Sequence, residues 1–305
     1  MKKLLITGVW KATPEQCEKL RQLGYEITLM PDERGALPKG AEESEVIVCN
    51  GLFLYHGVEN FPKLRTVQLT SAGFDRVPMD EMKARGIEVF NARGVYSIPM
   101  AEYALGGVLT LYKQNRFFAE NQKKHEWIKH RQVLEICGKS VLIVGAGNVG
   151  TECAKRFSAF GAKVRGVDLF PRDDENYEEI LPLDRLADEL SRADIIVLTL
   201  PLTDKTRYLF DRTMLETIKT GAVLVNIARG AVIDTEALVE ILKTDKLRGA
   251  VLDVFEEEPL SSESPLWDME NVIVTPHNSF VGDGNGERLV KVIFENLEMG
   301  DKTDA

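Results

Sequence analysis

The sequence predicts an α/β protein with two parallel, doubly wound sheets. Short β-rich runs alternate with amphipathic helical stretches along the whole chain, as expected of parallel strands joined by helices. The chain has 305 residues, which is enough for two domains that each bury a core. A strand that leads into a glycine-rich turn occurs only in the second half, so the phosphate-binding pattern is expected in one sheet alone.

Composition and charge are those of an ordinary soluble protein. The net charge of −10 argues against nucleic acid or an anionic membrane surface as a partner. The first residues, MKKLLITGVW, lack a full signal core, and no stretch reaches the roughly 18 apolar residues of a membrane span. The four cysteines form no C-x-x-C pair, so neither a metal site nor a disulfide framework is expected. A reduced, cytoplasmic protein is the simplest interpretation.

The first hundred residues contain enough strands and helices for one small doubly wound domain. Helices are predicted over 14–23 and 79–85, and Gly24 and Gly86 follow them at positions typical of helix C-caps. The predicted strands are KLLIT, EITLM, EVIVC, LRTVQLT and IEVFN.

A long helix is predicted over residues 98–118, with Pro99 near its start, where a missing N–H group costs little. Its apolar composition indicates burial on more than one face. Residues 119–138 are polar with embedded aromatic side chains and are interpreted as an extended arm; both an oligomer contact and a plain surface helix remain open. The second sheet then follows, with six strands at 141–145, 163–167, 194–200, 222–227, 249–254 and 271–275, and a last helix at 285–298.

The stretch VLIVGAGNVG has the G-x-G-x-x-G spacing at Gly145, Gly147 and Gly150, directly after a strand. Gly145 permits the tight turn, Gly147 lets the backbone approach phosphates, and Gly150 lets the helix pack on the strand. The helix N-terminus would then meet a pyrophosphate. Asp168 ends the next strand, at the distance expected of a residue that binds an adenosine ribose, and its charge favours NAD over NADP. Arg172 lies nearby and could soften this preference for NAD, although the simpler interpretation is a solvated arginine.

Three reactive side chains follow predicted strands of the second sheet, where ligands of open α/β sheets bind. Arg229 follows the strand AVLVN, and His277 follows VIVTP. Glu258 is the last acidic residue of DVFEEEP, directly before its proline. Taken alone, each has a simpler interpretation as a surface arginine, a solvated acidic loop or a structural histidine.

Together, these three residues suit hydride transfer to a 2-keto acid. Imidazole can donate the proton that the new alkoxide needs. A carboxylate on its other ring nitrogen would fix its tautomer and favour the imidazolium. A fixed guanidinium would hold the substrate carboxylate and stabilise charge on the carbonyl oxygen. Spacing alone does not establish that the three side chains converge.

Several segments, in this order, resemble the D-isomer-specific 2-hydroxyacid dehydrogenases. They are TSAGFDRVP, SIPMAEYALG, GKSVLIVGAGNVG, NIARGAVIDTEAL, GAVLDVFEEEP and PLWDMENVIVTPH, and they span nearly the whole chain. The resemblance implies two Rossmann-like domains with the active site in the cleft. One is a flavodoxin-like substrate-binding (catalytic) domain, 1–97 and 279–305, and the other an NAD-binding doubly wound parallel sheet, 98–278. It also implies a homodimer formed through the 98–138 region.

The resemblance also implies individual roles. Arg229 would bind the substrate carboxylate and carbonyl, Glu258 would partner the histidine, and His277 would be the acid/base. Ala72 and Gly73 would offer backbone N–H groups to the substrate carboxylate. The implied NAD-binding residues are Gly145, Gly147, Asn148, Val149, Gly150, Asp168, Pro201, Ile227, Ala228 and Asp253, of which Asn148 and Val149 would face the pyrophosphate and Asp253 the nicotinamide carboxamide.

Two segments depart from the family pattern. Leu52, Phe53 and Leu54 stand where many relatives carry a basic or small polar residue, which favours an uncharged or hydrophobic substrate side chain unless they belong to the core. After His277, Asn278 and Phe280 replace small residues and are expected to reshape the pocket.

The leading function is an NAD-dependent 2-keto acid reductase. The alternatives are a 3-phosphoglycerate dehydrogenase without a regulatory domain, since the chain ends soon after its last helix, and a non-catalytic NAD(H)-sensing protein like the related corepressors.

Overall fold

The computed structural model describes residues 1–244 and 246–303, with side chains described up to residue 298. The chain divides into two compact units. Met1–Tyr96 and Asp283–Ala305 form the first, and Ser97–Gly282 forms the second.

The first unit contains a parallel five-stranded sheet in the order β2-β1-β3-β4-β5. All five runs predicted from the sequence form strands, and the order is that of flavodoxin-like folds. The order places the C-terminal ends of β3 and β4 side by side. The strands are β1 (Lys2–Thr7), β2 (Tyr25–Met30), β3 (Val46–Cys49), β4 (Thr66–Leu69) and β5 (Glu88–Phe90).

Two short helices and the C-terminal helix flank this sheet. They are α1 (Pro14–Gln22), α2 (Met79–Ala84) and a C-terminal helix, Asn285–Thr303. The predicted caps are confirmed, because Gly24 and Gly86 follow α1 and α2 at φ +91° and +68°. The C-terminal helix packs on the same core as β1 and β3 through Leu289, Ile293, Phe294 and Leu297.

The second unit contains a parallel seven-stranded sheet in the order β12-β11-β10-β9-β6-β7-β8. The six predicted strands are present, but the prediction missed β8. Among the described residues, this four-residue strand pairs with β7 alone. It lies beside an acidic stretch and ends in Pro182, which has no N–H to donate. The strands are β6 (Ser140–Val144), β7 (Lys163–Asp168), β8 (Glu179–Pro182), β9 (Ile195–Leu198), β10 (Ala222–Asn226), β11 (Leu247–Leu252) and β12 (Val272–Val274).

The prediction of a single helix over 98–118 is wrong. The structure has α3 (Ser97–Tyr112) and α4 (Asn115–Lys123), separated at Gln114, whose φ of 57° lies in the left-handed region. Apolar periodicity does not reveal this break, because the segments before and after Gln114 both have a helical pattern. In α3, a Cβ at Gly107 would lie 2.6 Å from Val251 Cγ1, so this glycine permits close packing of the helix on β11.

The remaining helices of the second unit connect its strands. They are α5 (Asn148–Ala159), α6 (Leu186–Leu190), α7 (Arg212–Thr217) and α8 (Thr235–Leu242). Across the ranges that the structure describes, every helix is too short or too polar to cross a membrane.

Candidate active site

The glycine turn after β6 has three glycines with different surroundings. Gly145 has φ +100°, and a Cβ there would lie 2.7 Å from the Leu200 nitrogen. A Cβ at Gly150 would lie 2.2 Å from the Gly145 oxygen. At Gly147, by contrast, no described atom comes within 4 Å of the Cβ position. The first and third glycines therefore allow tight packing, whereas the second leaves open space in front of α5.

The helix α5 begins directly after a glycine. Gly147 is the N-cap residue, and it has no side chain that could cap the helix. Backbone N–H groups of the first turn, which includes Asn148 and Val149, have no acceptor within their own helix. Together with the helix dipole, they form a site suited to an anionic group such as a pyrophosphate.

Asp168 ends β7 and binds the glycine turn. Its Oδ2 accepts the N–H of Ala146 at 2.7 Å, and its Oδ1 accepts the N–H of Phe170 at 2.9 Å. Arg172 donates to the Ala146 carbonyl and pairs with Asp174 at 3.7 Å. Arg172 is therefore not simply solvated, because its guanidinium contacts the glycine turn.

The other predicted cofactor contacts lie at neighbouring strand ends. Pro201 lies in the exposed loop after β9. Ile227 and Ala228 follow β10 and are buried, at 1% and 5% exposure.

His277 and Glu258 form a direct contact. The distance from His277 Nδ1 to Glu258 Oε2 is 2.8 Å, and Glu258 Oε1 accepts the Phe255 N–H at 3.0 Å. An ionised carboxylate only accepts hydrogen bonds, so Nδ1 carries the proton and Nε2 is the nitrogen left for a ligand. His277 is half-buried, so part of its side chain is within reach of a ligand.

The backbone of His277 is held in the left-handed region at φ 50°. Its N–H donates to the Asp253 carbonyl at 2.7 Å. The Asp253 side chain is fully buried and accepts three hydrogen bonds, from Thr275 Oγ1 at 2.6 Å, Asn278 N at 2.7 Å and Ser279 N at 2.9 Å. Asp253 therefore fixes the turn that carries the histidine, a role the sequence did not indicate.

Tyr103 on α3 extends this network. Its hydroxyl lies 2.6 Å from Thr275 Oγ1. Because Thr275 uses its only proton for Asp253, Tyr103 must be the donor. Burial raises the pKa of Tyr103, and the Asp253 carboxylate adds to this effect, so the hydroxyl keeps its proton at neutral pH.

The aromatic ring of Phe280 lies edge-on to His277, with centroids 5.9 Å apart.

Arg229 lies in the turn after β10 and is half-buried. The turn is held by Asn226, whose Oδ1 accepts the Ala228 N–H at 3.0 Å and whose Nδ2 donates to the Arg229 carbonyl at 3.1 Å. A Cβ at Gly230 would lie 1.8 Å from the Phe255 carbonyl carbon, so glycine there lets this turn contact the loop of Glu258. Since β10, β11 and β12 are neighbours, all three reactive residues lie at one edge of the sheet.

In the first unit, the backbone after β4 has free donors. The carbonyl of Ala72 accepts Asn91 Nδ2 at 2.6 Å, and that of Gly73 accepts Ser71 Oγ at 3.0 Å. The N–H groups of Ala72 and Gly73 make no hydrogen bond to any residue in the described part of the chain. They are available for an anionic group.

The loop after β3 divides its three apolar residues. Leu52 is fully buried in the core, and Phe53 packs edge-on against Phe61 at 6.1 Å, whereas Leu54 is 58% exposed. The core interpretation therefore holds for Leu52. Glu33, which sequence reasoning missed, accepts the N–H groups that begin this loop, those of Asn50 and Gly51, both at 2.8 Å.

Comparison with known proteins identifies the family. A family model described as the NAD binding domain of D-isomer specific 2-hydroxyacid dehydrogenases matches residues 105–279. The chain belongs to this family. This chain is 34% identical to the (S)-sulfolactate dehydrogenase of Chromohalobacter salexigens over 278 residues. The alignment covers 90% of this chain and 89% of that protein.

Two further proteins resemble this family member over nearly its full length. The glyoxylate reductase of Pyrococcus horikoshii is 32% identical over 303 residues, covering 95% of this chain and 90% of that protein. The crystal structure of a D-isomer specific 2-hydroxyacid dehydrogenase family protein from Aeromonas salmonicida subsp. salmonicida has a TM-score of 0.84 and 31% identity, covering 99% and 96% of the two chains.

This dehydrogenase is therefore an NAD-dependent oxidoreductase that acts on 2-hydroxy acids. The glycine turn fits that cofactor, because the open space at Gly147 lies directly before the N-terminus of α5. The names of the two relatives specify different acids, so the family alone does not define the substrate.

Proposed function

We propose that the protein is an NAD-dependent D-2-hydroxyacid dehydrogenase that works as a 2-keto acid reductase, with His277 as acid/base. The 2.8 Å contact between His277 Nδ1 and Glu258 Oε2 carries this proposal. Glu258 keeps the ring in the orientation and tautomer in which Nε2 faces the substrate oxygen. Arg229 binds the substrate carboxylate and stabilises charge on the carbonyl oxygen.

The proposed reaction consumes one 2-keto acid, one NADH and one proton. NADH supplies the hydride to the carbonyl carbon when it is bound. His277, in its imidazolium form, gives its Nε2 proton to the carbonyl oxygen, so the products are the 2-hydroxy acid, NAD⁺ and a neutral imidazole, which regains a proton from solvent. In the reverse direction, the neutral ring takes the hydroxyl proton back, and Glu258 stabilises the imidazolium that forms.

The other assignments follow the resemblance and the local geometry. The first unit is the proposed substrate-binding domain, and the free N–H groups of Ala72 and Gly73 support their assignment to a carboxylate. The second unit is the proposed dinucleotide-binding domain, with Asn148 and Val149 at the pyrophosphate. Contacts of Pro201, Ile227 and Ala228 with the cofactor, and of Asp253 with the nicotinamide carboxamide, stay predictions.

The exposed Leu54 favours substrates with an uncharged or hydrophobic side chain. A kinetic panel tests this, with 2-ketoisocaproate, phenylpyruvate, glyoxylate, 3-sulfopyruvate and 3-phosphohydroxypyruvate as oxidants of NADH. We expect the highest kcat/KM for the first two. Strong selectivity for the phosphorylated acid would instead support the 3-phosphoglycerate dehydrogenase alternative. Binding of NADH without turnover of any acid would support the NAD(H)-sensing alternative.

Asp168 is the proposed ribose ligand, so Asp168→Ala should raise the KM for NADH about 10-fold, the effect of losing a hydrogen bond to a charged group. The KM for NADPH should change much less, because the wild-type carboxylate repels a 2′-phosphate. Steady-state kinetics with both cofactors measure this. The control is Asp168→Asn, which keeps an acceptor for the Ala146 N–H. Unchanged discrimination between the cofactors would show that Asp168 does not bind the ribose.

We also propose a homodimer in the cytoplasm, formed through the 98–138 region. The segment after α4 exposes large apolar side chains, among them Trp127 at 95% and Ile128 at 51%, and exposed clusters of this kind are typical of interfaces.

Trp127→Glu should convert the dimer to a monomer, because it would bury a charge without a partner in the interface. Sedimentation velocity measures the change. Trp267→Glu, at a tryptophan that is 49% exposed elsewhere in the same unit, is the matched control and should remain dimeric. A dimer that persists in Trp127→Glu at micromolar concentration would contradict this interface.

A further inference from the structure

Glu256 precedes Glu258 by two residues, and its carboxylate is tied to two other segments. Oε1 accepts the N–H of Thr235 at 3.0 Å, and Oε2 accepts the hydroxyl of Tyr208 at 2.7 Å. Thr235 is the first residue of α8, so Glu256 places its negative charge at a helix N-terminus, where it is stabilised. The loop is thereby attached to the first turn of α8.

Tyr208 is itself held in an uncommon backbone conformation. Its φ of 51° lies in the left-handed region, and its N–H donates to the Ala231 carbonyl at 2.8 Å. The hydrogen bond to Glu256 raises the pKa of Tyr208, so its hydroxyl remains a donor at neutral pH. A tyrosine held in this way gives the loop a second fixed attachment.

We propose that Glu256 is a positioning residue for the reaction, which sets the loop 255–259 so that Glu258 meets His277. This inference rests on the proposed function of His277. The coupling runs through one short segment, because Glu258 Oε1 binds the Phe255 N–H and Oε2 binds His277. A loop that lost its attachment at Glu256 would let Glu258 move away from Nδ1.

Glu257 provides a matched comparison within the same loop. It carries the same charge and is exposed, and no side-chain hydrogen bond or ion pair of Glu257 is found in residues 1–244 and 246–298. A general effect of negative charge near the site would therefore apply to both residues. An effect of attachment would apply to Glu256 alone.

The test measures kcat and KM for 2-keto acid reduction together with the Kd of NADH and the melting temperature. Glu256→Ala should lower kcat about 10-fold, as is typical when a group that orients a reactive side chain is lost, with an unchanged Kd for NADH. Glu256→Gln keeps an acceptor for Thr235 and should restore most of the rate. Tyr208→Phe should give a smaller loss, and Glu257→Ala should match the wild type.

Three outcomes would overturn the inference. They are wild-type kcat in Glu256→Ala, an equal loss in Glu257→Ala, and no recovery in Glu256→Gln. If Glu256→Ala does not fold, Tyr208→Phe still tests the second attachment, and wild-type kcat there would count against it.

A double-mutant cycle separates this inference from the proposed function. In a His277→Gln background, Glu256→Ala should cause no further loss, because it acts through the histidine. Full additivity of the two losses would contradict the positioning role. Normal activity of His277→Gln alone would contradict the proposed function instead.

Discussion

Replacing His277 by glutamine should lower kcat for 2-keto acid reduction about 10³-fold, the range expected when a general acid is removed. Glutamine cannot become the charged donor that a developing alkoxide needs, although its amide can still bond to Glu258. The Kd of NADH should stay within about twofold of the wild-type value, because cofactor binding does not depend on proton transfer. Stopped-flow reduction assays and fluorescence titration with NADH measure the two quantities.

The matched control is His130→Gln, at a histidine of the segment after α4 to which no chemical role is assigned. It should leave both quantities unchanged. If His277→Gln loses NADH binding and turnover to the same extent, the histidine supports the structure of the site and does not act in the reaction.

Replacing Arg229 by lysine should lower kcat/KM for 2-keto acids about 10²-fold or more, even though the charge is kept. A guanidinium offers a planar pair of donors to a carboxylate, whereas an ammonium is a single point charge on a flexible stem. The loss should appear in both KM for the keto acid and kcat, because the same group is proposed to bind the carboxylate and to stabilise charge on the carbonyl oxygen. Steady-state kinetics at saturating NADH separate the two parameters.

Arg212→Lys, at an exposed arginine that begins α7, is the control and should behave as wild type. Unchanged kcat/KM in Arg229→Lys would mean that the substrate carboxylate is bound elsewhere.

Most of the architecture could be predicted because its signals are local. The glycine spacing and the apolar runs each reflect the needs of a few neighbouring residues, and the fold class follows from their alternation. The missed strand β8 has four residues and lies at the edge of the sheet, where β7 is the strand that it pairs with. The break at Gln114 depends on a backbone angle that residue type does not specify.

The sequence predicts which residues form the candidate site, but it does not predict the contacts that hold them. Arg229, Glu258 and His277 stand out because their side chains suit the chemistry and follow strands. The roles of Asp253 and Glu256 are different, since each depends on partners distant in sequence. Asp253 binds the turn that carries the histidine, which lies 22 to 26 residues later in the sequence. Glu256 binds Tyr208, which lies 48 residues earlier. No local pattern distinguishes Glu256 from Glu257.

We propose that this family member reduces 2-keto acids by hydride transfer coupled to protonation at the carbonyl oxygen. Single-turnover reaction of the enzyme–NADH complex with excess phenylpyruvate, followed by chiral chromatography of the product, tests this claim. We predict one equivalent of the D-2-hydroxy acid for each NADH oxidised. Bound NADH that stays unoxidised, or a racemic or L-configured product, would contradict the claim.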